Sequence, residues 1–246
     1  MTEDRARRGP DRFPTTRLSI VLAAVAGGGD ETREALDALC RMYWRPLYAF
    51  IRRQGHDAEA ARDLTQAFIT GLLEKGTLRQ FHRGRGRFRT FLLACLKHFL
   101  SNQRDIEGAR KRGGGVSHIS MDDAAALERW ATLEPKDDET PETIFERRWA
   151  LEVLQQAMHR LEAECTHGGD ARRFHRLSAY LTRDGGGPAY REIGLELGIT
   201  DGAVKVAVHR LRERFHHCLR EQVSLTVVDP DDISDEIRYL IGALRS

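Results

Sequence analysis

Apolar residues recur three and four positions apart along most of the chain, the spacing that places them on one face of a helix. Stripes of this kind cover residues 36–51, 61–72, 88–99, 149–161, 174–181 and 204–215. Gly55 ends one of these patterns, and Asp57 stands where it would cap the next helix. No segment carries a pattern that requires a strand. The pattern therefore predicts an all-α fold.

The most informative stretch runs from residue 190 to residue 214 and reads YREIGLELGITDGAVKVAVHRLRER. Ile193 and Leu197 share one face of a short helix, and Gly198 follows where a chain leaving a helix needs a positive φ. Thr200 then stands where an N-cap hydroxyl is wanted, just before a second apolar stripe. Two short helices joined by such a turn predict a helix-turn-helix, whose second helix enters the major groove of DNA.

The second helix of this pair carries a basic face opposite its apolar stripe. That face holds Lys205, His209, Arg210, Arg212 and Arg214. The residues we expect to contact DNA are Thr200, Asp201, Lys205, Val206, His209, Arg210 and Arg214. The alternative is an ordinary helical hairpin with a solvated basic face, because Lys and Arg are usually exposed for solubility alone.

Charge is segregated along the chain, although the 246 residues carry a net charge of only +2. Residues 79–112 hold ten Lys or Arg against two acids, and residues 122–146 hold nine acids against two bases. Such blocks are typical of a nucleic-acid-binding protein with an acidic connector. The length allows either one large domain or two small ones.

Composition shifts mark the domain boundaries, above all the run RKRGGG at residues 110–115. We predict a disordered N-terminus over 1–17, a helical domain over 18–113 and an acidic linker over 114–144. A second helical domain with the helix-turn-helix follows over 145–221, and a C-terminal extension over 222–246.

The four cysteines lie far apart and none forms a C-x-x-C, which indicates reduced thiols. Cys40, Cys95 and Cys218 fall on apolar helical faces and are expected to be buried. No apolar run reaches the roughly 18 residues of a membrane span. The N-terminus is polar and rich in arginine, with no signal-peptide core. These features predict a cytoplasmic protein without a membrane span.

Four blocks resemble, in order, the regions of the sigma-70 family of bacterial RNA polymerase sigma factors. Residues 43–53 are similar to region 2.1, 61–68 to region 2.2, 86–100 to regions 2.3 and 2.4, and 190–212 to region 4.2. The order of the blocks is more specific than any one of them. Nothing resembles the region 1 or region 3 of housekeeping sigma factors, which points to the short extracytoplasmic-function type.

The resemblance implies two small helical domains, a sigma region 2 bundle and a sigma region 4 helix-turn-helix, joined by the acidic linker and followed by a helical tail. The first would bind core polymerase and the −10 promoter element, and the second the −35 element. Polymerase contacts would come from Asp63 and Gln66, which lie three apart on one helix face. Ala67 departs from the family pattern, which has an acid there, so this contact is expected to be weaker.

The resemblance also implies that the first domain holds the melted strand of the −10 element, which needs positive charge for the phosphates. The residues expected to supply it are Arg83, Arg85, Arg87, Arg89, Lys97 and Arg104. Phe81 or His82 is the expected base contact. Phe88, Phe91 and Phe99 share the apolar stripe and are expected in the core.

The C-terminal extension predicts an amphipathic helix with Ile233, Ile237, Leu240 and Ile241 on one side. A helix of this length is marginal alone in water, so its apolar face needs a partner surface. Two placements are open: the tail packs on the second domain and stabilises it, or it covers a surface that binds DNA or polymerase.

No catalytic constellation is present in the sequence. The glycine runs at 27–29, 113–115 and 185–187 lack the ending of a phosphate-binding P-loop. Cys165 with His167, and the HHC run at 216–218, lack the paired spacing of a zinc site. We predict a chain that is not an enzyme and takes no cofactor, metal or small-molecule substrate.

The sequence therefore predicts a sigma factor whose partners are core RNA polymerase and promoter DNA, with an anti-sigma factor as a further candidate. The alternative is an autonomous helix-turn-helix repressor or activator with a ligand-sensing N-terminal domain. The block RGRFRTFLL at residues 85–93 favours the first, because a sensing domain has no need of a basic loop before an apolar helix.

Overall fold

The fold is all-α in the computed structural model, which describes residues 18, 30–74, 77–81, 87–110, 139–182 and 190–245. The helices in these ranges are α1 Asp30–Arg53, α2 Ala58–Glu74, α3 Phe88–Arg110, α4 Pro141–His167, α5 Ala171–Leu177, α6 Ala179–Thr182, α7 Tyr190–Leu197, α8 Asp201–Val223 and α9 Ile233–Arg245. Short 3-10 turns cover Thr77–Gln80 and Pro230–Asp232. No strand occurs in the described residues, which confirms the predicted fold class.

The chain divides into two compact units. The N-terminal unit extends to Trp149 and includes the segment from Ser224 onward, and the second unit is Ala150–Val223. The boundary after Trp149 lies inside helix α4, because Phe145 and Trp149 at the start of that helix are fully buried in the N-terminal unit. Most of the predicted acidic linker lies outside the described residues.

An aromatic cluster forms the centre of the N-terminal unit. The ring of Tyr43 on α1 meets Phe88 edge-on with centroids 5.6 Å apart and stacks on Phe145 at 6.4 Å. Phe81 meets Phe88 edge-on at 5.3 Å. Helices α1 and α2 pack against each other across their apolar stripes. Between them Gly55, predicted to end the first helical pattern, has a positive φ of +94°. Asp57 caps α2 as predicted, because it accepts a hydrogen bond of 2.8 Å from the Ala60 amide.

The C-terminal segment, residues 224–245, belongs to the N-terminal unit and is called the strap below. Its first residues, among them Leu225, are buried, and the Ser224 carbonyl accepts a hydrogen bond of 3.4 Å from the Leu18 amide. In helix α9 the apolar side chains of Ile233, Ile237 and Leu240 are buried as predicted.

One position of α9 differs from the sequence prediction. Ile241, expected on the apolar face, is 41% exposed, and Glu236 takes a buried position on that face instead. The reason is a pair of arginines on the surface beneath α9, described below, which need a carboxylate partner.

The second unit is built from the rest of α4 and helices α5 to α8. The predicted stripe of α8 is buried, including Val204, Val208 and Leu211. Cys218 on the same helix is buried, and burial, reinforced by the nearby Glu164 carboxylate, raises the pKa of its thiol to about 11. Cys165 is also buried, whereas the predicted burial of Cys40 and Cys95 is only partial, and all four thiols are free.

The turn between α7 and α8 has the geometry that the sequence predicts. Gly198 adopts a φ of +67°, and the Ile199 amide donates to the Gly194 carbonyl at 2.9 Å. Thr200 caps α8, because its hydroxyl accepts a hydrogen bond of 3.2 Å from the Ala203 amide. The turn is tight at a second glycine: a Cβ on Gly194 would lie 2.7 Å from the Ile199 carbonyl oxygen.

We expect Gly194→Ala to destabilise the second unit by about 1–3 kcal/mol, because backbone atoms must shift to admit the methyl group. The matched control is Gly202→Ala. A Cβ at Gly202 meets nothing within 4 Å, so this change should be neutral or stabilise the helix by roughly 0.5–1 kcal/mol. Urea denaturation followed by far-UV circular dichroism measures both. Equal midpoints for the two variants would contradict the tight turn.

Candidate nucleic-acid interfaces

The DNA-contacting residues predicted for the helix-turn-helix all lie at the surface. Thr200, Asp201, Lys205, Val206, His209, Arg210 and Arg214 are exposed. Val206 is 50% exposed although it is apolar, so the surface of α8 offers a methyl contact beside its charges. Among the residues that the structure describes, no carboxylate forms an ion pair with Lys205 or Arg210. Their charges are therefore available to a ligand.

Arginines on the other side of this motif hold its backbone in place. Arg176 forms an ion pair with Glu196 of α7, and Arg172 donates to the Glu196 carbonyl at 3.2 Å. Arg212, predicted on the basic face of α8, donates instead to the Tyr180 carbonyl at 3.0 Å and 3.3 Å. These contacts join α7 to α5 and α8 to α6.

Arg214 lies at the inner edge of the basic face. Its Nη2 is 3.7 Å from Glu164 Oε2, and it borders a cavity of about 180 Å³ that Arg173, Phe174 and Arg210 also line. Because part of its charge is compensated by Glu164, Arg214 is less available than Lys205 or Arg210. The outermost part of the face is thus formed by residues 205, 206, 209 and 210.

In the N-terminal unit, Arg89 does not face solvent, although the sequence predicts that it contacts a melted strand. Its side chain is 1% exposed. Its Nε lies 2.7 Å from Glu146 Oε2 on α4, and its Nη1 donates to Glu236 Oε1 on α9. The carbon of its guanidinium lies 3.9 Å from the centroid of the Tyr239 ring and 4.6 Å from that of Trp149. Two carboxylates and two rings therefore surround one cation.

Arg87 lies at the edge of the same group and stays 40% exposed. Its Nε is 3.4 Å from Glu236 Oε2, and its guanidinium carbon lies 4.3 Å from the centroid of the Tyr239 ring. Glu236 and Tyr239 thus each contact both arginines. The six residues of this group are called the Arg89 cluster: Arg87, Arg89, Glu146, Trp149, Glu236 and Tyr239.

Burial dominates the electrostatics of the two carboxylates. It raises the pKa of Glu146 and the pKa of Glu236, and the charge of Arg89 opposes the shift in both cases. Desolvation is costly for each ion, and such a group persists only when every charge has a close partner. The Arg89 cluster satisfies this requirement by bringing together residues from α3, α4 and the strap.

Two other basic residues predicted for the N-terminal unit, Lys97 and Arg104, have partners outside the Arg89 cluster. Lys97 forms an ion pair with Glu142 at 2.6 Å, and this hydrogen bond lowers the pKa of the Glu142 carboxyl. Arg104 donates to the side chain of Gln54 at 3.0 Å. Arg83 and Arg85 lie outside the described residues, as does His82. Of the four candidates that the structure describes, Arg87 and Arg89 are the two brought together.

The predicted polymerase contacts, Asp63 and Gln66, are partly exposed on α2. Thr65 between them is buried and its hydroxyl donates to the Ala61 carbonyl at 2.6 Å, so the outer face of α2 is well defined. Ala67 is exposed, at the position where the sigma family has an acid. Phe81, predicted as a base contact, is mostly buried against Phe88 and Phe91.

Sequence reasoning missed four members of the Arg89 cluster, namely Glu146, Trp149, Glu236 and Tyr239. A signal for the charged ones was present. Glu236 lies within the apolar repeat of Ile233, Ile237 and Leu240, and Arg89 lies three and four residues before Leu92 and Leu93. A charge inside an apolar stripe indicates a buried partner of opposite sign.

Neither a metal site nor a membrane helix is found in the described parts of the chain. These residues bring no three His, Cys, Asp or Glu side chains together in a group that could hold a metal ion. None of the helices described is both long and apolar enough to cross a membrane.

Comparison of the chain with protein-family models, with curated proteins and with solved structures found no match in any of the three.

The Arg89 cluster makes a specific prediction about stability. Glu236→Ala should destabilise the N-terminal unit by up to about 3–5 kcal/mol, because it removes one partner of a buried cation. The loss should fall toward the lower end, since Glu146 stays in place. All three tryptophans lie within the first 149 residues, so urea unfolding followed by tryptophan fluorescence reports on this unit.

Asp235→Ala is the matched control for that measurement. Asp235 precedes Glu236 on the same helix, is 62% exposed and forms a surface ion pair with Arg238. Surface pairs of this kind contribute about 0–1 kcal/mol. If the two alanine variants unfolded at the same urea concentration, the Arg89–Glu236 pair would not be a stabilising contact.

Proposed function

We propose that this protein is a promoter-recognition subunit of bacterial RNA polymerase, a sigma factor of the extracytoplasmic-function type. The second unit would read the −35 promoter element in the major groove through α8. The N-terminal unit would dock on core polymerase through the outer face of α2 around Asp63 and Gln66. It would also hold the melted −10 strand with its arginines.

The observation that carries this proposal is the outer face of α8. A rigid turn with Gly194, Gly198 and Thr200 presents a helix on which Lys205 and Arg210 have no carboxylate partner among the described residues. Helix-turn-helix proteins read base edges with side chains on such a face. The order of blocks resembling sigma regions 2 and 4 supports the sigma interpretation over other helix-turn-helix proteins.

Physical size favours dependence on a partner. The base-reading face spans about two turns of one helix, a small area for specific DNA binding, and single modules of this kind gain specificity by working together. A second module docked on the same assembly raises the effective concentration of the first on DNA. Core polymerase would supply this by holding both units on one promoter.

We expect the protein alone to bind duplex DNA weakly and with steep salt dependence, and to bind promoters specifically once core polymerase is added. Lys205→Ala and Arg210→Ala should each weaken promoter binding by roughly 1–3 kcal/mol, if each side chain reads a base edge. Core-polymerase pull-down followed by run-off transcription on genomic fragments provides the readout.

Arg41→Ala is a suitable control, since it removes one positive charge from a surface pair with Asp37 on α1. It should leave promoter recognition unchanged, and all three variants should still bind core polymerase. Tight footprinting of a palindromic site without polymerase would instead support the autonomous repressor or activator.

A further inference from the structure

We propose that the strap, residues 224–245, is an autoinhibitory segment that competes with single-stranded DNA for Arg87 and Arg89. This inference rests on the proposed function for the identity of the strand, but its contacts stand on their own. In the closed state a carboxylate of the strap occupies the arginines. In the open state a DNA phosphate takes its place.

Glu236 holds the two arginines as a phosphate would. Its two carboxylate oxygens are divided between the two arginines, with Oε1 on Arg89 and Oε2 at 3.4 Å from Arg87. Carboxylate and phosphate are the two anions whose geometry matches the guanidinium fork. A site that binds one is therefore chemically suited to the other, so occupation by Glu236 and occupation by a phosphate exclude each other.

The strap also supplies the aromatic ring that covers both cations. Tyr239 lies over the guanidinium groups of Arg87 and Arg89. Loss of the strap would remove this ring together with Glu236, while Trp149 and Glu146 on α4 would stay. Arg89 would then keep one carboxylate and one ring and gain access to solvent. The exposed group would combine positive charge with an aromatic face, the pair that single-strand binding uses.

An open cleft lies between part of the strap and this site. The cleft has a volume of about 190 Å³ and is lined by strap residues, among them Val227 and Asp232, and by Phe81, Arg87 and Phe88. Atoms that line it make fewer packing contacts than atoms in a close-packed interior. The interface also contains desolvated charges, which stabilise it less than apolar contacts of the same area would. A strap of this kind can be displaced more easily than one held by a close-packed apolar seam.

Arg87 provides the entry point for a competing strand. It is 40% exposed while Arg89 is 1% exposed, so an incoming phosphate can reach Arg87 before the strap has left. The strap also repels such a strand, because Asp231 and Asp232 lie in the turn that precedes α9. In the closed state the strap covers Arg89 and part of Arg87, and the nearby surface is acidic, whereas in the open state the arginines are exposed and the surface is basic.

The test measures binding of a labelled single-stranded DNA of about 12 nucleotides to the full chain by fluorescence anisotropy at low salt. Glu236→Gln and Tyr239→Ala should each tighten binding at least about fivefold, because each raises the population of the open state. Binding of a duplex of the same length should change less than about twofold, since the second unit does not contain these residues.

Two further variants separate release of the strap from other causes. Asp235→Asn removes the same charge from the exposed side of α9 and should have less than about a twofold effect, given screening at the surface. Adding Arg87→Ala to Glu236→Gln should abolish the gain, since Arg87 is then missing from the released site. Equal gains in Asp235→Asn and Glu236→Gln would overturn the proposal. So would a gain that survives Arg87→Ala, which is the result expected from simple unfolding, or no gain in either loosened variant.

The same variants distinguish this inference from the proposed function. Tighter single-strand binding in Glu236→Gln, without transcription from any fragment by core polymerase, would leave the strap inference standing and remove the sigma interpretation. Polymerase-dependent transcription with unchanged single-strand binding in Glu236→Gln would support the sigma interpretation and overturn the strap inference.

Discussion

The contact on which the N-terminal unit depends is the buried cation of Arg89. This contact joins three segments that are far apart in sequence: α3 carries the arginine, α4 carries Glu146 and Trp149, and the strap carries Glu236 and Tyr239. Apolar faces can slide against each other at little cost, but a buried cation accepts only a register that brings carboxylates to it. Arg89 thus specifies where α4 and α9 sit within this unit.

This constraint explains why the strap belongs with the N-terminal unit although it follows α8 directly in the chain. The apolar residues Ile233, Ile237 and Leu240 require some partner surface, and many apolar surfaces would satisfy them. Glu236 in the middle of that face is selective, since burial without a cation would be prohibitive. The apolar stripe supplies most of the burial, and the single charge chooses the partner.

The sequence was sufficient for the local features and insufficient for the long-range ones. Helix periodicity, the positive φ of Gly198, and the caps at Asp57 and Thr200 depend on neighbours within a few residues, and the structure confirms them. The placement of the strap depends on a pair 147 residues apart, Arg89 and Glu236, for which no local pattern exists.

The same distinction applies to the candidate interfaces. Exposure of Lys205 and Arg210 follows from the stripe of α8 alone. The burial and ion pairing of Arg87 and Arg89 do not follow from the local sequence, because a count of positive residues in a basic block does not show which acidic residues contact them. Five of the six candidate arginines and lysines in the first domain can be counted as basic surface from the sequence, but Arg89 lies within an apolar stripe. The position of Arg89 in that stripe indicates that its charge is compensated inside the protein.

The two candidate surfaces consequently differ in the thermodynamics of engaging a ligand. On α8, Lys205 and Arg210 exchange only water and counterions for DNA, so binding there should follow the salt-dependent release of ions. At the Arg89 cluster a phosphate must replace a carboxylate already bound to the same guanidinium groups. One ion pair with the guanidinium groups is replaced by another, so the ion pair itself contributes little to the free energy of the exchange. That free energy depends more on the other contacts of the strap, on its buried apolar side chains and on its covalent link to the chain. The affinity of the α8 surface for DNA thus depends on its own side chains. The affinity of the Arg89 cluster for a phosphate depends on how stably the strap is bound.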